Sequence, residues 1–77
     1  MNKVLLPALG EEINKATVAC WHCQVGEKVN SGDDVVEVVT DKASFNVSAE
    51  VGGTIKAILV PEGQEAHIGE ILAIIEP

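Results

Sequence analysis

The residues of this sequence that could do covalent chemistry fall in two places. Lys42 stands in a short polar break, residues 40–43, between the apolar runs 35–39 and 45–47. Asp41 can hydrogen-bond the backbone just ahead of it, so Thr-Asp-Lys-Ala suits a tight turn that lifts Lys42 clear of both arms. A lysine amine at such a tip is open to enzymatic acylation. Most turn lysines are simply solvated, however, and spacing alone does not separate these two interpretations.

The second candidate for covalent chemistry is the pair Cys20 and Cys23. Its C-x-x-C spacing is one that can serve thiol-disulfide exchange. The reactive thiol of such enzymes sits at a helix N-terminus, whereas this pair falls within a predicted strand. Residues three apart in a strand lie about 10 Å apart on opposite faces, and a disulfide needs Cα atoms within roughly 7 Å. We therefore predict one thiol in the core and one on the surface, with no redox role. His22 and His67 lack the spacing of a second ligand pair, so no metal site is expected.

Composition and charge exclude several classes of function. The 77 residues carry twelve acidic groups against five lysines, a formal charge of −7 that argues against binding nucleic acid or an anionic membrane surface. The acidic pairs 11–12 and 33–34 have no histidine or nucleophile placed beside them, so we interpret them as surface charge rather than catalytic carboxylates. No apolar stretch reaches the roughly 18 residues of a membrane helix, and no signal peptide is evident, so a cytoplasmic location is expected.

Short β-strands are expected to hold these side chains in place. Nearly every apolar run is brief and closed by a Gly, Pro or Asp turn signal, a spacing typical of an all-β sandwich or barrel. The one rival is a helix over residues 9–19, which Gly10 and several β-branched residues weaken, so we predict a loop leading into a strand. Trp21 and Phe45 are the only aromatic residues in a chain that is 47% hydrophobic. The core must therefore consist mainly of Val, Ile, Leu and Ala.

An internal repeat at an offset of 37 residues divides the chain into similar halves, about residues 1–40 and 41–77. Its identical matches are Thr17 with Thr54, Gly26 with Gly63, and Gly32 with Gly69. In each half a strand runs into a glycine turn, and a second Gly-acid turn precedes another strand. A half of this size exposes one apolar sheet face. The halves are therefore expected to pack face to face about a pseudo-two-fold axis, within a single domain spanning 1–77.

Six segments form a pattern that runs through the whole chain. They are Leu-Pro-Ala-Leu-Gly-Glu at 6–11, Ala-Thr-Val-Ala-Cys-Trp-His at 16–22, Val-Gly-Glu-Lys-Val at 25–29, Thr-Asp-Lys-Ala at 40–43, Gly-Thr-Ile at 53–55 and Glu-Gly at 62–63. This pattern resembles the lipoyl domains of 2-oxo acid dehydrogenase complexes, as found in their acyltransferase components. Asp-Lys-Ala alone would be common by chance. Here it lies midway through a pattern that matches the family over the 77 residues. In that position, Asp-Lys-Ala specifically resembles the lipoylation signature of the family.

The resemblance implies a flattened β-barrel or sandwich of two four-stranded antiparallel sheets, with Lys42 exposed at one hairpin. It implies a non-catalytic carrier whose lipoic acid cofactor is attached to Lys42 by a lipoate ligase or lipoyl transferase. This swinging arm would carry acyl groups and reducing equivalents between a thiamin-diphosphate-dependent dehydrogenase, an acyltransferase core and dihydrolipoamide dehydrogenase. Thr40, Asp41 and Ala43 would fix the turn and be read by partners. The acidic pairs would share with Asp41 the face shown to the dehydrogenase.

One position departs from the family's pattern. A Glu usually stands three residues before the lysine, where some lipoylating enzymes read it, and here that position is Val39. Glu37 lies on the same strand face but is not assumed to substitute. An unmodified domain of this fold stays an alternative, as does a biotin carrier, although biotinyl domains resemble Met-Lys-Met where this chain has Asp-Lys-Ala. The 2-oxo acid stays open, because Ala43 favours the pyruvate type and segment 16–22 the 2-oxoglutarate type.

Overall fold

The chain folds as eight antiparallel β-strands in the computed structural model, which describes residues 2–77. The strands are β1 Asn2–Leu5, β2 Lys15–Trp21, β3 Lys28–Val29, β4 Asp34–Val39, β5 Ser44–Ser48, β6 Gly53–Ile58, β7 Glu65–His67 and β8 Ile71–Glu76. They form two four-stranded sheets, sheet I in the order β1-β8-β6-β3 and sheet II in the order β5-β4-β2-β7. The predicted all-β fold is confirmed, and the segment before β2 is a loop rather than a helix.

The pseudo-two-fold axis predicted from the 37-residue repeat is visible in the topology. Replacing β1 to β4 by β5 to β8, and the reverse, converts the strand order of sheet I into that of sheet II. The repeated glycines have matching left-handed backbones, with φ of 96° at Gly26 and 88° at Gly63, and of 91° at Gly32 and 88° at Gly69. Glycine adopts this conformation without the steric cost that other residues incur. The repeated spacing of these glycines in the sequence therefore corresponds to two equivalent pairs of turns in the structure.

Reciprocal backbone hydrogen bonds join the two halves. The Gly26 N–H donates to the Ile55 carbonyl, and the Gly63 N–H donates to the Val18 carbonyl, both at 2.8 Å. Each glycine turn of one half is thus bound to the second strand of the other half. Each sheet also takes two strands from each half. The prediction that the two halves pack face to face is therefore wrong: the halves are interlocked, and the faces that pack together belong to two sheets that both halves build.

Both sheets carry a β-bulge at the same point of the repeat. In β2 the pairing with β4 shifts between Val18 and Cys20, which makes Ala19 an extra residue, and β6 has the equivalent shift between Ile55 and Ala57. Regular alternation would send Cys20 inward with Val18. The extra residue reverses the alternation, so Cys20 turns to the outer face of sheet II while Val18 stays in the core.

The core between the sheets is aliphatic, as predicted. Its buried residues are Val4, Leu6, Ala16, Val18, Cys23, Val29, Val35, Val36, Val38, Val47, Ala49, Ile55, Val60, Ala66, Leu72, Ala73 and Ile75. Trp21 and Phe45 are partly buried and pack against this cluster. Valine suits such a core because its branched side chain packs well on a pleated sheet. Residues 2–77 contain no helix long and apolar enough to cross a membrane.

The substitution Gly53→Ala is expected to destabilise the domain. Gly53 begins β6, and a methyl group there would lie 2.5 Å from the Glu76 carbonyl oxygen and 2.7 Å from Ile75 Cγ2. Because backbone of β8 would have to move, we expect a loss of roughly 1–3 kcal/mol in the free energy of unfolding. Urea denaturation followed by tryptophan fluorescence would measure it.

Gly26→Asn is the matched control for that substitution. A side chain at Gly26 meets no atom within 4 Å, and asparagine tolerates a left-handed backbone better than other non-glycine residues. We expect this variant to lose about 1 kcal/mol, from its left-handed backbone alone, and so less than Gly53→Ala. Equal losses in the two variants would contradict the steric explanation for Gly53.

Candidate functional site

Thr40 organises the hairpin that joins β4 to β5. Its N–H donates to the Ala43 carbonyl at 2.8 Å, and its hydroxyl donates to the same carbonyl at 3.1 Å. The hydroxyl oxygen also accepts the N–H groups of Lys42 at 3.2 Å and Ala43 at 3.1 Å. The prediction that Asp41 makes this backbone contact is wrong. Thr40 makes it because its oxygen, at the start of the turn, lies within reach of both N–H groups.

Lys42 projects from the tip of this hairpin, with 63% of its side chain exposed. Its Nζ lies 3.3 Å from Oε2 of Glu12, a residue of the β1–β2 loop whose side chain is 83% exposed. Ion pairs between side chains this exposed contribute about 1 kcal/mol at most, so Glu12 does not fix the lysine in place. No non-glycine residue within 2–77 has a positive φ, so the turn is free of left-handed strain. The amine is therefore accessible for covalent attachment.

An open groove of about 570 Å³ runs beside Lys42. Its walls come from the β1–β2 loop, the start of β2, the end of β4 and Glu65 of β7. Glu12, Asp41 and Glu65 bring carboxylates to it, and Lys15 pairs with Glu65 at 3.5 Å. The surface beside the lysine thus carries mixed charge and is open to solvent.

The two acidic pairs of the sequence lie in different places. Glu12 and Asp41 line the groove at Lys42, as expected. Asp33 and Asp34 stand at the start of β4, whereas Lys42 follows its end, and the Asp34 carboxylate accepts a hydrogen bond from the Ser48 hydroxyl at 2.9 Å. Asp33 and Asp34 thus lie at the opposite end of β4 from Asp41, and the proposal that both pairs belong to the face shown to the dehydrogenase stays a prediction.

Val39 lies on the outer face of sheet II, between Thr17 of β2 and Ser44 of β5. It is half-buried, as is Glu37 two residues earlier, while the intervening Val38 is fully buried. A longer side chain at position 39 would therefore extend over the sheet towards solvent rather than into the core. A glutamate fits here sterically.

The two cysteines are free thiols on opposite sides of sheet II. The Cys20 thiol donates to Oε1 of Glu37 at 3.7 Å on the outer face, whereas Cys23 is buried and donates to the Val35 carbonyl at 3.8 Å. The prediction that both cysteines lie in a strand is wrong for Cys23, because β2 ends at Trp21. The predicted separation into a core thiol and a surface thiol is confirmed.

Both thiols are harder to ionise than a free cysteine. Desolvation, and after it the Glu37 carboxylate, raises the pKa of Cys20. Burial, and after it the Glu27 carboxylate, raises the pKa of Cys23. Thiol-disulfide enzymes need the opposite shift, since the thiolate is the nucleophile. Electrostatics and geometry together favour the interpretation that this pair has no redox function.

Three side chains of metal-binding type meet on the outer face of sheet II. One ligand atom from each of Cys20, His22 and Glu37 lies within 4.8 Å of the others, the only such group of three within residues 2–77. Glu37 is the cross-strand partner of Cys20, and Asn46 is the partner of Glu37. Spacing along the chain could not reveal this group, because its carboxylate comes from a different strand.

Known proteins match the sequence and the fold of this chain over almost its whole length. A family described as "Biotin-requiring enzyme" matches residues 2–75. The solution structure of the lipoyl domain of the 2-oxoglutarate dehydrogenase complex from Azotobacter vinelandii matches with a TM-score of 0.79 and 34% identity, over 100% of this chain and 98% of that one. The chain belongs to the lipoyl-domain family.

Relatives of this lipoyl domain include components of three different complexes. The succinyltransferase component of the 2-oxoglutarate dehydrogenase complex of Staphylococcus saprophyticus is 36% identical over 97% of the chain, and the lipoamide acyltransferase component of the branched-chain alpha-keto acid dehydrogenase complex of Bacillus subtilis is 36% identical over 99%. The acetyltransferase component of the pyruvate dehydrogenase complex of Acholeplasma laidlawii is 40% identical over 88%. The lipoyl domain spans only 18%, 18% and 12% of these relatives, respectively.

Replacing Thr40 by Val should loosen the hairpin without changing side-chain volume. The hydroxyl makes three hydrogen bonds in an exposed turn, so we expect a loss of about 1 kcal/mol in the free energy of unfolding and faster amide hydrogen exchange at Lys42 and Ala43. Urea denaturation and exchange measured by NMR would test this. Thr40→Ser keeps the hydroxyl and should resemble the parent. A serine variant as labile as the valine variant would refute the role of the hydroxyl.

Cys20 should react slowly with an aromatic disulfide reagent at neutral pH in the metal-free, reduced domain. Its raised pKa lowers the thiolate fraction, so the rate should climb at higher pH than for free cysteine. Glu37→Gln removes a negative charge and should increase the neutral-pH rate several-fold. Stopped-flow absorbance on a Cys23→Ala background would measure it. Asp34→Asn removes a charge from the far end of β4 as the control, and equal rates in the two variants would count against the effect of Glu37.

Proposed function

We propose that this lipoyl domain carries lipoic acid on Lys42 and serves an acyltransferase component of a 2-oxo acid dehydrogenase complex. The observation that supports this most directly is the position of Lys42 at an exposed hairpin tip. The hairpin is stabilised by a hydrogen bond to Thr40 and by the pairing of β4 with β5. The complex is proposed as a class. Relatives with 36–40% identity belong to 2-oxoglutarate, branched-chain and pyruvate complexes, so similarity does not select among them.

The surroundings of Lys42 fit a covalently attached group. The Nζ atom faces solvent beside an open groove, and its one ion-pair partner, Glu12, is itself largely exposed. Forming an amide at Nζ removes the positive charge of the lysine, and little is lost with a pair this exposed. When bound, lipoic acid supplies a disulfide that can accept an acyl unit and two electrons.

The residues of the chain present this arm and give partners something to recognise. β4 and β5 pair up to Val39 and Ser44, so the turn is anchored to the sheet, while the lysine side chain projects into solvent. Asp41 and Ala43 flank the lysine and are exposed. Because the lysine lies beside an open groove rather than in an enclosed cavity, we assign the chemistry to partner active sites. Attachment to a larger protein would raise the effective concentration of the arm at each of them.

The partners in this proposal are a lipoate ligase or lipoyl transferase, a thiamin-diphosphate-dependent 2-oxo acid dehydrogenase, an acyltransferase core and dihydrolipoamide dehydrogenase. Their active sites would be visited in turn by the same lysine arm. The proposed location follows these partners and is the cytoplasm, or the mitochondrial matrix in a eukaryote.

Incubation with a lipoate ligase, ATP and lipoate should increase the intact mass of the chain by one lipoyl group. The expected site is Lys42, so Lys42→Arg should show no increase. Lys15→Arg is the matched control, because Lys15 also lines the groove and pairs with a glutamate. A biotin ligase with biotin should leave the mass unchanged, and biotinylation of Lys42 would support the biotin carrier instead.

If the parent chain is not lipoylated in that experiment, the variant Val39→Glu distinguishes the possible reasons. Lipoylation of this variant but not of the parent would show that the carrier site is intact and that position 39 governs recognition by the ligase. Failure of both folded proteins would overturn the proposal in favour of an unmodified domain. Once lipoylated, the domain can be offered to dehydrogenases of the three types, and the rate of reductive acylation would identify the 2-oxo acid.

A further inference from the structure

The group formed by Cys20, His22 and Glu37 has no part in the carrier function proposed above. We propose that these three side chains form a binding site for a divalent cation of the zinc class on the outer face of sheet II, with water completing the coordination. Thiolate, imidazole and carboxylate are the ligands that zinc takes in proteins, and three protein ligands plus water is a recurrent arrangement.

The distances between the ligand atoms are close to those of a bound cation. Tetrahedral coordination at about 2.3 Å to sulfur and about 2.0 Å to nitrogen or oxygen places ligand atoms roughly 3.5 Å apart. Cys20 Sγ and Glu37 Oε1 are already 3.7 Å apart, and all three ligand atoms lie within 4.8 Å of one another. His22 is exposed, so a small rotation of its side chain can close the remaining gap.

The backbone brings these side chains together through two features already described. Cross-strand pairing puts Cys20 directly opposite Glu37. The bulge at Ala19 turns Cys20 outward, and His22, two residues on, is exposed while Trp21 between them packs against the core. Without the bulge, Cys20 would face the interior, and the group would not form. The His22 N–H also donates to the Val35 carbonyl at 2.8 Å, which ties the residue to β4 beyond the end of β2.

Neighbouring groups support a cation at this position. His22 Nε2 lies 3.0 Å from Oδ1 of Asn46, so a polar partner already orients the imidazole, as is usual for histidines that bind metals. Glu62 accepts the Trp21 N–H at 3.1 Å and, like Glu37, acts on the Cys20 thiol as a negative charge. On binding, the Cys20 thiol would give its proton to solvent and coordinate as the thiolate, so each cation bound should release about one proton.

Titration of the reduced, tag-free 77-residue chain with Co²⁺ would test the site. We expect one Co²⁺ per chain, a thiolate-to-cobalt charge-transfer band in the near ultraviolet, and displacement by one equivalent of Zn²⁺. Cys20→Ser should abolish the band. His22→Ala and Glu37→Gln should each weaken binding by more than about tenfold, and Asn46→Ala, which removes the partner of His22, by roughly 10–100-fold.

Two matched controls separate this site from general binding by side chains of the same type. His67→Ala removes an exposed histidine that lies 3.7 Å from Glu70, and Cys23→Ala removes the other thiol, so both variants should bind Co²⁺ as the parent does. Unchanged lipoylation of Lys42, or an unchanged far-ultraviolet spectrum, would show that each variant folds. Weak binding without saturation, a spectrum lacking the thiolate band, or equal losses in His22→Ala and His67→Ala would overturn the proposal.

Discussion

Each of the two sheets contains strands of both halves, and each presents an apolar face that only the other sheet can cover. A chain of 77 residues has little apolar surface to spare, so both faces must be buried in full. The reciprocal hydrogen bonds from Gly26 to Ile55 and from Gly63 to Val18 hold the halves in the register that achieves this. The rest of the molecule, including the lysine hairpin, is attached to strands that this constraint keeps rigid.

β4 connects the buried core to the side chains of both candidate sites on the surface. Val35, Val36 and Val38 are completely buried, and they anchor the strand in the core. Its outward residue Glu37 meets Cys20, and its end leads into the turn that carries Lys42. One strand thus supports both candidate sites, an exposed lysine beyond its end and a group of ligand-type side chains on its outer face.

The sequence allowed the fold class, the symmetry and the exposed lysine to be predicted, because apolar runs and turn glycines are local signals. β3 and β7 escaped prediction, since strands of two and three residues make no apolar run of their own. The orientation of Cys20 also could not be derived, because a single extra residue in β2 reverses the alternation on which such reasoning depends. The resemblance named Thr40 among the turn residues, but its hydrogen bonds, which were expected of Asp41, and the approach of Glu37 to Cys20 arise from local geometry and cross-strand pairing that spacing along the chain does not encode.

The interlocking of the halves places the lysine in an unusual position. Two strands from each half enter each sheet, which is the arrangement of a strand-exchanged homodimer whose subunits have become one polypeptide. In such a dimer of separate half-chains, β4 would be the last strand of one subunit and β5 the first strand of the other. The Lys42 hairpin is the covalent junction between them. The residue proposed to carry the arm therefore occupies the one connection between strands that has no counterpart elsewhere in the repeat.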